Sequence, residues 1–288
     1  MHHQFSNVVN NLNLCAAANV EKTISTGVDV LGVTSVDDEL FVLLRCADNQ
    51  VAVYSINDYQ LLRHLSLPKF KPDGLNDITS MSCVRYKCLY LSDNNNKCIH
   101  RHDLDSSATD KWAVSDKPCG LSITPSGNLL VTCQSKAKLV EFADSGERLR
   151  EIILQKDIEC PRHGLQLTTG KFVVCHGEST VHVVGVFSCD RVCIVGDDGN
   201  ALCSFYGGER GSKVGRLEYP RHLAVDKDSQ FMFVVYKLNR GVMLLSPTLD
   251  RVRHVVEGLT DPRRLYFHQT TRRLFVGQVS GDVTVIQL

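Results

Sequence analysis

One unit, recurring with a period near forty residues, limits what this chain can fold into more than any other feature. Its clearest copies begin Pro118-Cys-Gly-Leu-Ser-Ile, Pro161-Arg-His-Gly-Leu-Gln-Leu, Pro220-Arg-His-Leu-Ala-Val and Pro262-Arg-Arg-Leu-Tyr-Phe. An earlier copy stands at Leu75-Asn-Asp-Ile and a weaker one near Val28-Asp-Val-Leu-Gly-Val. Successive prolines lie 43, 59 and 42 residues apart. Each entry is followed by a second apolar run, such as Leu40-Phe-Val-Leu-Leu, Leu89-Tyr-Leu-Ser-Asp, Leu129-Leu-Val-Thr-Cys or Leu274-Phe-Val-Gly. These runs are β-branched and aromatic, and helical periodicity is missing. Counted this way, the chain holds six units.

A lone sheet of four short strands cannot cover both of its faces, so such units must stack in a ring. The expected fold is all-β, a six-bladed β-propeller, with blades near 28–68, 75–114, 117–154, 161–206, 220–256 and 262–288. The second runs read as continuously apolar because they are covered on both faces. The sixth unit reaches Leu288 with three strands and no fourth. An unpaired edge there would invite aggregation, so Val20 to Thr26 is expected to supply the missing outer strand. Residues 1–19 then form a flexible lead and 20–288 one propeller domain. The long 59-residue spacing reflects an insertion at 177–190, read as a loop, with a hairpin lid or partner-binding element as the alternative.

Composition narrows the function. Lys plus Arg number 32 and Asp plus Glu number 32, so no global charge favours nucleic acid or membrane. No run approaches a membrane span, and the start lacks a secretory pattern, which points to a cytoplasmic protein without a membrane partner. The 12 cysteines are spread widely with no Cys-x-x-Cys, so they read as reduced thiols, several of them buried like small hydrophobes. Phosphate-loop, nucleophile-elbow and His-Glu-x-x-His patterns are absent. Gly207 to Gly215 reads as a linker between blades, and Asp197-Asp198-Gly199 as a turn. No catalytic set emerges, and no cofactor is expected.

Leu89-Tyr-Leu-Ser-Asp93-Asn-Asn-Asn-Lys-Cys-Ile-His-Arg, together with the Pro118 and Pro220 units, resembles the NHL-repeat propellers. The resemblance spans about residues 28 to 288, and is strongest to the C-terminal NHL modules of tripartite-motif-type proteins, in divergent invertebrate form. It implies a module that binds protein or RNA, in a context linked to ubiquitin-ligase pathways. The motif Asp stands at Asp93 but is replaced by Arg45, Cys133, His176, Tyr236 and Gln278 in the other units. No RING, B-box or coiled coil precedes the repeats, so only the binding role carries over.

The first-strand entries, which such a ring presents around its channel, read Asp29, Asn76 with Asp77, Gly120, His163, His222 and Arg264. Arg162, Arg221 and Arg263 follow the proline in three successive blades, which places three guanidinium groups side by side. The expected partner surface is Arg162, His163, Arg221, His222, Arg263 and Arg264, with Asn76 and Asp77 at the channel mouth. Arginine forks suit carboxylate or phosphate, so an acidic or phosphorylated protein segment is favoured, with single-stranded RNA as the other polyanion. Few aromatics near these arginines and the neutral balance speak against RNA, and the single Trp112 reads as packing. Two His and an Asp around the channel could bind a divalent metal, and the resemblance to propellers with central zinc or calcium implies a competing reading, a metal-dependent lyase or lactonase-like hydrolase centred on His163, His222 and Asp77, opposed by the fixed charge of Arg264. The isolated domain is expected to be monomeric.

Overall fold

The computed structural model describes residues 18–46, 50–66, 75–83, 86–177, 190–207, 217–237, 240–250 and 252–288. The lead, most of the 177–190 insertion and most of the glycine-rich linker fall outside them.

The described chain is all strand, in six four-stranded antiparallel sheets. Blade one is β2 (Val30–Val36), β3 (Glu39–Leu44), β4 (Gln50–Ser55) and β5 (Leu61–Ser66); blade two is β6 (Leu75–Cys83), β7 (Tyr86–Asp93), β8 (Cys98–Asp103) and β9 (Thr109–Ala113). Blade three holds β10 (Pro118–Ile123), β11 (Leu129–Cys133), β12 (Lys138–Phe142) and β13 (Arg148–Ile153). In blade four the strands are β14 (Pro161–Gln166), β15 (Phe172–His176), β16 (Arg191–Val195) and β17 (Ala201–Phe205). Blade five comprises β18 (Pro220–Val225), β19 (Met232–Tyr236), β20 (Gly241–Leu245) and β21 (Val252–Val256). Blade six is β22 (Pro262–His268), β23 (Arg273–Gln278) and β24 (Asp282–Gln287), completed on the far side of β24 by β1 (Asn19–Ser25).

That last pairing closes the ring as the missing strand required. Asn19 pairs Gln287 and Ser25 pairs Asp282, with a bulge between Val20 and Lys22. Thr26 continues the join, its backbone N–H and hydroxyl both donating to the Gly281 carbonyl at 2.7 and 2.9 Å. Only Ile24 of β1 is buried, as befits an outer strand.

The core sits between blades. Six apolar clusters occupy the six successive blade interfaces. Alternation along each second strand divides its side chains between two of them. In β3, Leu40, Val42 and Leu44 pack toward blade six, while Phe41 and Leu43 pack toward blade two. Trp112 behaves as packing, edge-on to Tyr90 and tilted against Phe142, each at 6.1 Å. Nine of the described cysteines are free thiols.

Candidate functional site

Every first strand opens with the same irregularity. Register shifts fall between Val30 and Gly32, Leu75 and Asp77, Pro118 and Gly120, Pro161 and His163, Pro220 and His222, and Pro262 and Arg264. Proline suits the first residue of a strand, and the bulge that follows leaves one residue out of the ladder and turns the next toward the axis. The bulged residues are Leu31, Asn76, Cys119, Arg162, Arg221 and Arg263. The residues after them form the inner ring: Gly32, Asp77, Gly120, His163, His222 and Arg264.

Blade one therefore contributes Gly32, not Asp29. The Asp29 carboxylate lies before β2, bound to Arg45 at 2.7 Å and to Arg263 at 3.3 Å. The two glycines of the ring are demanded by space. A Cβ on Gly32 would sit 2.5 Å from Ile78 Cγ2, and one on Gly120 would sit 2.6 Å from the Arg162 carbonyl.

The four remaining ring residues form one buried cluster: Asp77 is 1% exposed, His163 2%, Arg264 5% and His222 7%. Asp77 Oδ1 accepts from the Ile78 N–H at 3.0 Å and faces Arg264 Nε at 3.3 Å. Its Oδ2 accepts from the Leu121 N–H at 3.0 Å and from His222 Nε2 at 3.3 Å. His163 Nε2 donates to the Leu121 carbonyl at 3.0 Å, and its ring stacks on His222 with centroids 3.7 Å apart. Arg264 also donates to the Leu31 carbonyl at 2.6 Å and to the Asn76 carbonyl. Through these bonds the cluster touches all six blades.

Its electrostatics are balanced. Burial works against the Asp77 carboxylate, but His222 and Arg264 outweigh it and hold the group below the usual range, at about 2. Burial pushes His163 down to about 3, helped by His222, and pushes His222 down against the pull of Asp77. Both imidazoles are neutral at pH 7, so one carboxylate faces one guanidinium. Since both partners of Nε2 are acceptors, each ring carries its proton there, and each Nδ1 is buried without a hydrogen bond.

Asp77, His163 and His222 each bring one donor atom within 4.8 Å of the others. A carboxylate offers about four acceptor directions; Asp77 fills three with hydrogen bonds and faces the Arg264 guanidinium with its charge. A cation entering here would have to displace Arg264, so the cluster fits a clasp between blades better than a metal seat. His163, His222 and Arg264 belong to this clasp and are withdrawn from the surface.

The bulged arginines lie one residue before the clasp. Arg162 and Arg221 flank the buried Tyr219, their guanidinium carbons 5.2 and 4.5 Å from its ring centroid. This one aromatic stands in the sequence just before Pro220, and its position there does not show that it lies between the two arginines. Arg263 pairs with Asp29 of the next blade. Among the described residues, no carboxylate lies within ion-pair distance of Arg162 or Arg221. Burial, the neighbouring Arg264 and Arg221 press Arg263 down to about 9, and burial with Arg264 and Arg162 presses Arg221 down. The Nε atoms of Arg162, Arg221 and Arg263 are all buried without a hydrogen bond. The arrangement is a crowded set of like charges that an anion would relieve.

No protein-family model matches the sequence, and no curated protein matches it. Solved structures do. A selenomethionine-substituted virginiamycin B lyase from Staphylococcus aureus aligns over 93% of this chain and 98% of its own, with TM-score 0.63 and 10% identity. A hydrazine synthase from Kuenenia stuttgartiensis covers 93% and 97%, with TM-score 0.62 and 13% identity. A streptogramin B lyase covers 94% and 96%, with TM-score 0.61 and 9% identity. At such identities the likeness concerns architecture: the chain is a six-bladed β-propeller of the kind on which these lyases are built.

Proposed function

We propose that this propeller is a non-catalytic binding module, of NHL type and cytoplasmic, that captures an acidic or phosphorylated protein segment at the face where the first strands begin. The observation that carries this reading is the recurrence of Arg162, Arg221 and Arg263 at one bulge position in three successive blades, with no ion pair to Arg162 or Arg221 among the described residues. Guanidinium groups bind carboxylate and phosphate through paired hydrogen bonds, and their mutual repulsion falls when an anion enters. The asymmetric supply of charge, from blades four to six only, suits an extended segment lying across one side of the channel. Anisotropy of a fluorescein-labelled oligo-glutamate peptide, set beside a labelled oligo-uridylate of equal length, tests it. Tight binding of the peptide supports a protein partner; exclusive binding of the RNA, weakening steeply with salt, would replace it.

A second reading rests on the triad Asp77, His163 and His222 and on the lyases among the structural neighbours: a metal-dependent lyase with its site at the channel. The three hydrogen bonds that Asp77 already accepts and its Arg264 counter-charge oppose it. One equivalent of zinc or calcium bound per chain and lost in His163→Ala would favour the enzyme.

A further inference from the structure

We propose that blade two carries a second, separate site, for a zinc-class transition metal, formed by Asp93, Cys98 and His100. Asp93 ends β7 and Cys98 opens β8 directly opposite it, while His100 lies two residues further along β8 and so on the same face. All three are buried, Asp93 at 0%, His100 at 5% and Cys98 at 7% exposure. Their donor atoms lie within 4.8 Å of one another. His100 Nε2 stands 3.3 Å from Asp93 Oδ2 and 3.3 Å from Cys98 Sγ.

The two separations from His100 are close to those of tetrahedral zinc. Bonds to nitrogen and oxygen near 2.0–2.2 Å and to sulfur near 2.3 Å give edges of roughly 3.4 Å between N and O and roughly 3.5 Å between N and S. Charge agrees as well. A thiolate, a carboxylate and a neutral imidazole around a divalent ion sum to zero, which suits a buried place. Burial and then the Asp93 carboxylate raise the Cys98 thiol above its ordinary range, against a smaller pull from Lys111 on the adjoining outer strand; a bound metal would deprotonate the thiol outright. Asn96 steadies the carboxylate, its backbone and side-chain N–H groups donating to Oδ1 at 2.9 Å and Oδ2 at 2.8 Å. Such outer contacts orient metal ligands.

Blades three and four supply an independent comparison. The position of Cys98 is Lys138 in blade three and Arg191 in blade four. There Lys138 Nζ binds Glu151 at 2.8 Å and Ser115 at 2.7 Å, and Arg191 Nε donates to His176 Nε2 at 2.7 Å. Both blades thus seat a side-chain cation at this place. Blade two presents a thiol, a carboxylate and an imidazole instead, the donor set that receives a cation from outside. Three protein ligands leave a fourth position for water.

Cobalt(II) titration of the chelator-treated full chain tests the site, because cobalt replaces zinc in such sets and reports its sulfur ligand. We expect one equivalent bound, with visible d–d bands and a near-ultraviolet sulfur-to-cobalt band. Cys98→Ser should abolish the sulfur band, and Asn96→Ala should weaken binding about tenfold or more. His163→Gln, in the channel clasp, should leave spectrum and stoichiometry unchanged. Far-ultraviolet circular dichroism confirms that each variant is folded. No stoichiometric cobalt in the wild-type chain, or a sulfur band that persists in Cys98→Ser, overturns the proposal.

Discussion

His222 reaches across the ring to Asp77, its Nε2 3.3 Å from Oδ2, and so ties blade five to blade two, which share no apolar interface. Arg264 of blade six likewise reaches Asp77 and Asn76 of blade two, whereas the six apolar clusters each join only adjacent blades. Replacing Asp77 with Asn keeps the shape but leaves the Arg264 guanidinium buried without its counter-charge. The expected loss is about 3–5 kcal/mol of unfolding free energy, read from urea denaturation, whereas Arg264→Met in the same background should recover part of it.

Acid should weaken the fold before the carboxylates titrate. His163 is held down at about 3, His176 at about 4 and His222 below its ordinary value, all chiefly by burial. A histidine whose folded pKa is depressed contributes fully above its unfolded value near 6.5 and loses that contribution as pH falls toward the folded one. His163 and His176 should each cost on the order of 1–2 kcal/mol by pH 5, and His222 acts in the same direction. Asp77, held at about 2, loses its contribution only below the unfolded value of 3.8. Urea midpoints should therefore decline between pH 6.5 and 4, and His163→Gln should flatten that decline.

The inner-ring glycines are set by contact. Gly32→Ala drives a methyl group against Ile78, and Gly120→Ala drives one against the Arg162 backbone and the His163 ring. Each should lower stability by about 1–3 kcal/mol, the usual cost of overpacking. Gly127→Ala, where nothing lies near the added carbon, tests backbone strain alone, since its φ is +84°.

Ring closure depends on β1. Removing residues 1–26 strips β24 of its partner and exposes an edge, so the melting temperature should drop and light scattering should rise with concentration. An unchanged melt would place the closure elsewhere.

Much of this was legible in the sequence because repetition exposes it. A sixth unit ending in three strands demanded a partner strand, and Val20 to Thr26 answers to Asn19–Ser25 within one residue. Proline marked the bulge in four blades, which gave His163, His222 and Arg264 their places. In blade one Val30 holds the proline's position, so the sequence points to Asp29 where the structure places Gly32. The burial of the clasp was not legible, because no spacing tells that Asp77 and His222, 145 residues apart, meet across the axis. Asp93, Cys98 and His100 were hidden by a hairpin. Strand alternation from Cys98 to His100, with Asp93 at the facing end of β7, is the signal that would have found them.

Asp29 tempers the arginine surface by holding Arg263. Asp29→Asn should free that guanidinium and tighten capture of an oligo-glutamate peptide several-fold, about 1 kcal/mol, measured by anisotropy at fixed ionic strength.

The most direct test of the binding surface is calorimetric titration of a phosphoserine peptide into the wild-type chain and into the Arg162→Ala, Arg221→Ala, Arg263→Ala triple variant. A charge-assisted hydrogen bond contributes about 1.5–3 kcal/mol, so losing three arginines should erase the binding heat while circular dichroism stays unchanged. Equal affinity in a folded triple variant would contradict the assignment of this face.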